Sequence, residues 1–138
     1  MTREPRISDV EELQIRGESD VVHVRQRVRA RAGELKFSIV DQTKIVTAAS
    51  ELARNALIYA GGGVARIETL ERDRRRGLRV TFEDRGPGIP SIQEAMRDGY
   101  TTGNGLGLGL GGAKRLVNEF EIESTVGSGT RIAIIRWS

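Results

Sequence analysis

Glu51 and Asn55 stand four residues apart in the run ELARN, a spacing that sends both side chains from one side of a helix into one small volume. A carboxylate there can accept a hydroxyl proton, and an amide oxygen can ligate Mg²⁺. Polar pairs of this kind are also common on solvated helix faces, so the spacing alone assigns no role. A second group is Asp84-Arg-Gly86-Pro-Gly88-Ile-Pro. An acid at that place can accept a hydrogen bond from an adenine amino group, while two glycines let the backbone pass close beneath a base. The same residue types also make ordinary turns. The third group is the run from Gly103 to Gly112, with glycine at every second position. Such a run is costly in chain entropy, and glycines ahead of a helix allow backbone N–H groups to wrap a phosphate.

These groups need elements to hold them. Glu12 to Arg16 alternates as a short strand closed by Gly17. Ser19 and Asp20 are capping residues for a helix whose Val21, Val24, Val28, Ala32 and Leu35 recur at helical spacing. A longer helix over Asp41–Tyr59 carries Ile45, Ala49, Ala53 and Ala56 on one narrow apolar face, with Lys44, Thr47, Glu51 and Asn55 opposite. Gly61 to Gly63 ends it. Val64–Glu71 and Leu78–Glu83 read as strands around the turn RDRRRG, the second alternating cleanly. A short helix near Ser91–Arg97 leads to the glycine run and a helix over Ala113–Glu119. Phe120–Thr125 and Arg131–Trp137 form a closing hairpin about VGSGT. Hairpin pairs with helices between them predict an α+β two-layer sandwich, with a mixed, largely antiparallel sheet and the helices on one face.

The 138 residues, 38% hydrophobic and 30% charged, fit one domain spanning 1–138. No apolar run approaches the roughly 20 residues of a membrane span, and MTREPRISDV lacks the apolar stretch of a signal peptide, so a cytoplasmic address is expected. The absence of cysteine removes disulfides and thiolate chemistry. The net charge of +3 comes mostly from scattered arginines, with RQRVRARAG and RDRRRG as the two basic clusters. Neither cluster is interleaved with aromatics, so solvated surface is favoured over nucleic-acid binding, with an acidic protein partner as a further option. Gly107-x-Gly109-x-x-Gly112 mimics a dinucleotide fingerprint but lacks the preceding strand and crossover unit. His23, the single histidine, falls opposite the valine stripe and reads as a surface residue, and Trp137 and Tyr100 read first as packing residues.

Taken in order, the three groups resemble the N box and glycine boxes of the gyrase, histidine-kinase and MutL (GHKL) superfamily, over nearly the whole chain. DGYTTGNGLGLGLGGAKRL, from Asp98 to Leu116, is most similar to the RsbT-type serine/threonine switch kinases of bacterial stress signalling. The resemblance implies a Bergerat ATP-binding fold, with Glu51 as general base and Asn55 as a magnesium ligand. Asp84 would take the adenine, Gly86 and Gly88 would shape the pocket floor, and Gly105, Gly107 and Gly109 would be the glycines around the phosphates. Thr130 would back the adenine site through its hydroxyl. It further implies ATP and Mg²⁺ as cofactors, STAS-domain antagonist proteins of a stressosome-like complex as substrates, and a PP2C-type phosphatase as a second partner. Many superfamily members carry a cation in the glycine-rich segment, whereas none lies between Gly99 and Gly112 here. Lys114, Arg115 or the partner would then neutralise the γ-phosphate. An anti-sigma binding module and a simple ATPase of the same fold are the rival expectations.

Overall fold

A computed structural model describes residues 4–96 and 110–138. Within them the chain runs β1 (Arg6–Ile15), α1 (Glu18–Glu34), α2 (Ile39–Ala60), β2 (Gly63–Arg72), β3 (Arg75–Asp84), α3 (Ile92–Ala95), α4 (Leu110–Arg115), β4 (Glu119–Thr125) and β5 (Gly129–Trp137). The five strands form one sheet in the order β1-β2-β3-β5-β4. The α+β class and its layering agree with the expectation from the sequence. The sheet itself is antiparallel at all four junctions rather than mixed.

One face of the sheet carries the helices. Val21, Val24, Val28 and Ala32 of α1 and Ile45, Ala49, Leu52 and Ala53 of α2 are buried against Ala65, Ile67, Leu78, Val80, Ile132 and Ile134 of the strands. The small residues of α2 let its backbone approach both α1 and the sheet, and this dense contact supplies most of what holds the helix in place. Ser38 caps α2 by accepting the Asp41 N–H at 3.1 Å, and Gly61 ends the helix in the left-handed conformation. That terminus stands beside the end of β3, the relation on which the site depends.

Several boundaries differ from those read in the sequence. β1 begins at Arg6 rather than Glu12, because Asp9 has φ +47 and the register with β2 shifts between Ser8 and Glu11. That irregularity breaks the alternation by which the first half of the strand would be recognised. The irregular segment is held by Arg31, which is buried on α1 and bonds the Asp9 carbonyl, Thr69 Oγ1 and Glu11 Oε1. Helix α1 is capped at Gly17 with no side-chain hydrogen bond, and Asp20 instead accepts the Arg16 N–H at 2.7 Å. The short helix α3 spans Ile92–Ala95, narrower than Ser91–Arg97. Helix α4 covers Leu110–Arg115, not Ala113–Glu119. It stops early because Asn118 is taken into the sheet: its N–H donates to the Ile135 carbonyl at 2.9 Å and its side chain accepts the Trp137 N–H at 2.7 Å.

Trp137 is buried on the opposite face of the sheet, where its ring covers Gly77 and Arg72 stacks 4.5 Å from the ring centroid. A Cβ at Gly77 would lie 2.6 Å from that ring, so the glycine is a packing requirement. His23 is exposed, as its place opposite the valines implies.

Candidate functional site

The strand register decides which residues meet. Asp84 closes β3 and pairs with Thr130 near the start of β5, and Thr130 in turn pairs with Ser124 of β4. The three polar side chains therefore stand in a row across three strands, at the end of the sheet next to the C-terminus of α2. Asp84 Oδ1 accepts the backbone N–H of Gly86 at 2.9 Å. The Ser124 and Thr130 hydroxyls are 2.8 Å apart, and Ser124 also accepts the Ile89 N–H at 2.8 Å. A cavity of about 300 Å³ opens over this row, lined by Asp84, Ser124, Thr125, Gly129 and Thr130 among others.

The glycines act through close approach. A Cβ on Gly86 would lie 2.5 Å from the Cβ and 2.8 Å from the Cα of Ala60, so only glycine lets the loop after β3 lie against the end of α2. Gly88 has φ +78 and Gly129 has φ +99, conformations that L side chains rarely adopt. A Cβ on Gly88 would run into the Thr125 carbonyl, and the Gly127 N–H donates to the Pro87 carbonyl at 2.8 Å. The loop carrying Asp84, Gly86 and Gly88 is thus bound to α2 on one side and to the β4–β5 turn on the other.

The structure brings Asp84, Gly86, Gly88 and Thr130 to one end of the sheet. Glu51 and Asn55 lie on α2, nine and five residues before Ala60, which puts them about 13 and 7 Å along the helix axis from the Gly86 contact. Both side chains are half-buried. Glu51 lines a separate groove of about 250 Å³ between α1 and α2, with Arg25, Arg29, Thr47, Ser50 and Arg54. Gly105, Gly107 and Gly109 lie outside the described residues. Lys114 and Arg115 are exposed in the last turn of α4. Ser124 was not read from the sequence, although the hairpin register about VGSGT places it opposite Thr130.

These residues suit an adenine nucleotide. A carboxylate has about four acceptor positions, so Asp84 can hold Gly86 and still accept an exocyclic amine. The hydroxyl pair beside it can donate or accept, and a cavity of this size suits a planar base. Among the described residues no group of three His, Cys, Asp or Glu could cage a metal.

A model of the family described as histidine kinase-, DNA gyrase B-, and HSP90-like ATPase matches residues 40–137. The match runs from α2 to β5 and takes in every candidate residue, and the chain belongs to this family of ATP-using domains. Within it the chain is 49% identical over 125 residues to the serine/threonine-protein kinase RsbT of Bacillus subtilis (strain 168), covering 91% of this chain and 94% of that relative. On that footing the chain is a protein kinase. It is also 32% identical over 117 residues to an anti-sigma F factor of Clostridium novyi (strain NT), covering 78% of this chain and 79% of that one. In fold it resembles a crystal structure of the RsbU and RsbW domains of a Mycobacterium tuberculosis protein, with TM-score 0.65 and 20% identity over 94% of this chain and 32% of that longer one. Among the described residues no helix is long and apolar enough to cross a membrane.

Proposed function

We propose that this chain transfers the γ-phosphoryl group of ATP to a serine or threonine of a STAS-domain antagonist protein in a stressosome-like complex. Once released from that complex it binds and activates a PP2C-type phosphatase. The observation that supports the nucleotide half is the Asp84–Gly86 turn packed on Ala60, which puts the Asp84 carboxylate beside the end of the helix bearing Glu51 and Asn55. Identity to a serine/threonine-protein kinase over 94% of its length supports the acceptor class.

Asp84 takes the adenine amino group, with Gly86 and Gly88 as the floor and Thr130 behind the base. Asn55 offers its amide oxygen to Mg²⁺. When bound, ATP supplies the phosphoryl group and Mg²⁺ neutralises its charge. Glu51 accepts the proton of the partner hydroxyl as that oxygen bonds to phosphorus and the bond to the β-phosphate oxygen breaks. Gly105, Gly107 and Gly109 are the proposed phosphate-wrapping glycines.

Incubating the chain with labelled ATP, Mg²⁺ and candidate STAS-domain proteins, followed by phosphosite mapping, tests the reading. An acid-stable phosphoserine or phosphothreonine on the partner is expected. An acid-labile product, or hydrolysis of ATP with no partner labelled, would overturn it. The anti-sigma F relatives favour a second reading, a module that holds a sigma factor. Capture of a sigma factor in preference to STAS proteins and phosphatase would select that reading.

A further inference from the structure

Three polar groups converge on the hydroxyl of Ser124. Its Oγ accepts the Ile89 N–H at 2.8 Å, stands 2.8 Å from Thr130 Oγ1 and reaches the Gly129 carbonyl at 3.2 Å. A serine hydroxyl carries one proton and two lone pairs. Ile89 fills one lone pair, so one proton and one lone pair remain for Gly129 and Thr130. At 2.8 Å one of the two hydroxyls has to donate to the other. If the Ser124 proton goes to the Gly129 carbonyl, Thr130 donates inward and shows the cavity lone pairs alone. If it goes to Thr130, which is the shorter contact, the Thr130 proton is free to turn outward into the cavity.

The neighbouring acid says which arrangement a bound adenine needs. The strand register sets Thr130 between Asp84 and Ser124. A carboxylate offers only acceptors, so Asp84 suits the exocyclic amine. Next to that amine on the adenine edge is N1, an acceptor, which calls for a donor beside Asp84. We infer that Ser124 is a positioning residue of the nucleotide site, donating to Thr130 and so turning the Thr130 proton toward adenine N1. The inference deepens the proposed function and rests on adenine lying at Asp84. The surroundings hold Ser124 to this task. Its bond to Ile89 ties it to the loop that carries Gly86 and Gly88, and Gly88 packs on the Thr125 carbonyl next in the chain. The Gly129 carbonyl takes the Ser124 proton when no base claims Thr130, so the pair stays satisfied in both arrangements. Guanine would meet two repulsions, its carbonyl oxygen against Asp84 and its N1–H against the Thr130 proton.

Nucleotide affinities of the full chain, measured by calorimetry, decide it. The probes are ATP, 1-deaza-ATP, which lacks the N1 acceptor, and purine riboside triphosphate, which lacks the amine. Wild type should bind ATP about tenfold more tightly than either analogue, the usual worth of one hydrogen bond. Ser124→Ala should cut the N1 preference to about twofold or less and keep the amine preference within about twofold of wild type. Each preference is a ratio within one variant, so a smaller folded fraction cancels out of it. Ser124→Thr keeps a hydroxyl on the same Cβ and suits a strand, and it should restore the N1 preference. In a Thr130→Val background Ser124→Ala should change that preference no further, because its effect passes through Thr130. A purely structural serine would lower all three affinities together and leave both preferences intact. That result would overturn the inference, as would an equal loss of both preferences. A wild type indifferent to the amine would overturn the adenine reading of Asp84 and the role of Ser124 with it. One that needs the amine but not N1 would overturn the role of Ser124 alone.

Discussion

Asp84 and Gly86 are joined by a 2.9 Å hydrogen bond from the glycine N–H to the carboxylate Oδ1, and the same glycine lies too close to Ala60 of α2 to admit a side chain. One residue therefore fixes both the orientation of the acid and its position relative to the helix that carries Glu51 and Asn55. The proposed adenine acceptor and the proposed catalytic helix meet at this contact, in addition to the packing of the helix on the sheet.

Asp84→Asn should preserve the fold, because an amide oxygen can still accept the Gly86 N–H. Its amide donors, however, would face the adenine amino group in place of an acceptor. ATP binding should weaken by about 1–3 kcal/mol, measured by titration calorimetry, with the unfolding midpoint nearly unchanged. Wild type should prefer ATP to GTP, and equal affinity for the two would refute the assignment of Asp84.

Gly86→Ala should act through packing. The added methyl meets Ala60 at 2.5 Å, so the loop or the helix end has to move, at about 1–3 kcal/mol in stability. Nucleotide binding should fall with it, because Asp84 moves with the loop. Ala60→Gly in the same chain should restore part of both losses. A double-mutant cycle by denaturant unfolding checks this, and strict additivity would mean that the contact does not matter.

Glu51 and Asn55 should separate by kinetics. Asn55→Ala is expected to abolish magnesium-dependent ATP binding and transfer together. Glu51→Ala should largely spare ATP binding and lower single-turnover transfer by roughly 10²–10⁴-fold, the usual loss when a positioned base is removed. Loss of ATP binding in Glu51→Ala, with normalised transfer intact, would remove Glu51 from the role of base.

Glu11 contributes to the pH dependence of the fold, as does Asp41, whose carboxyl is lowered by its hydrogen bond with Arg136. The hydrogen bond of Glu11 with Arg27 holds its carboxyl below the ordinary value, against desolvation that opposes the shift. A depressed folded-state pKa gives stability that is fully present above the unfolded-state value and lost as pH falls through the folded-state one. Glu11→Gln should therefore destabilise the chain at neutral pH, and its deficit relative to wild type should shrink on acidification below the ordinary carboxylate range. Urea unfolding across that range tests the sign. A deficit that grows on acidification would exclude the ion pair as its source.

Much of this protein was decided locally and could be read directly. The alanine face of α2, the alternation of β3, the turn at Gly61 to Gly63 and the position of Asp84 at a strand end all depend on spacing within a few residues, which a linear sequence displays. For the same reason Glu51 and Asn55 were placed on a common helical face, and His23 at the surface. Other features required the chain to close on itself. The buried Arg31 and the irregular start of β1 arise from partners more than 20 residues apart, so no local pattern announces them. The end of α4 was set by Asn118 bonding to β5, a preference of the sheet that overrode the helical pattern. Ser124 joined Asp84 and Thr130 only through the register of three strands. Sequence alone determines which residues can share a face of one element. Which faces of different elements meet is decided by the burial of the common core, and here that burial brought Asp84, Thr130 and Ser124 into one row.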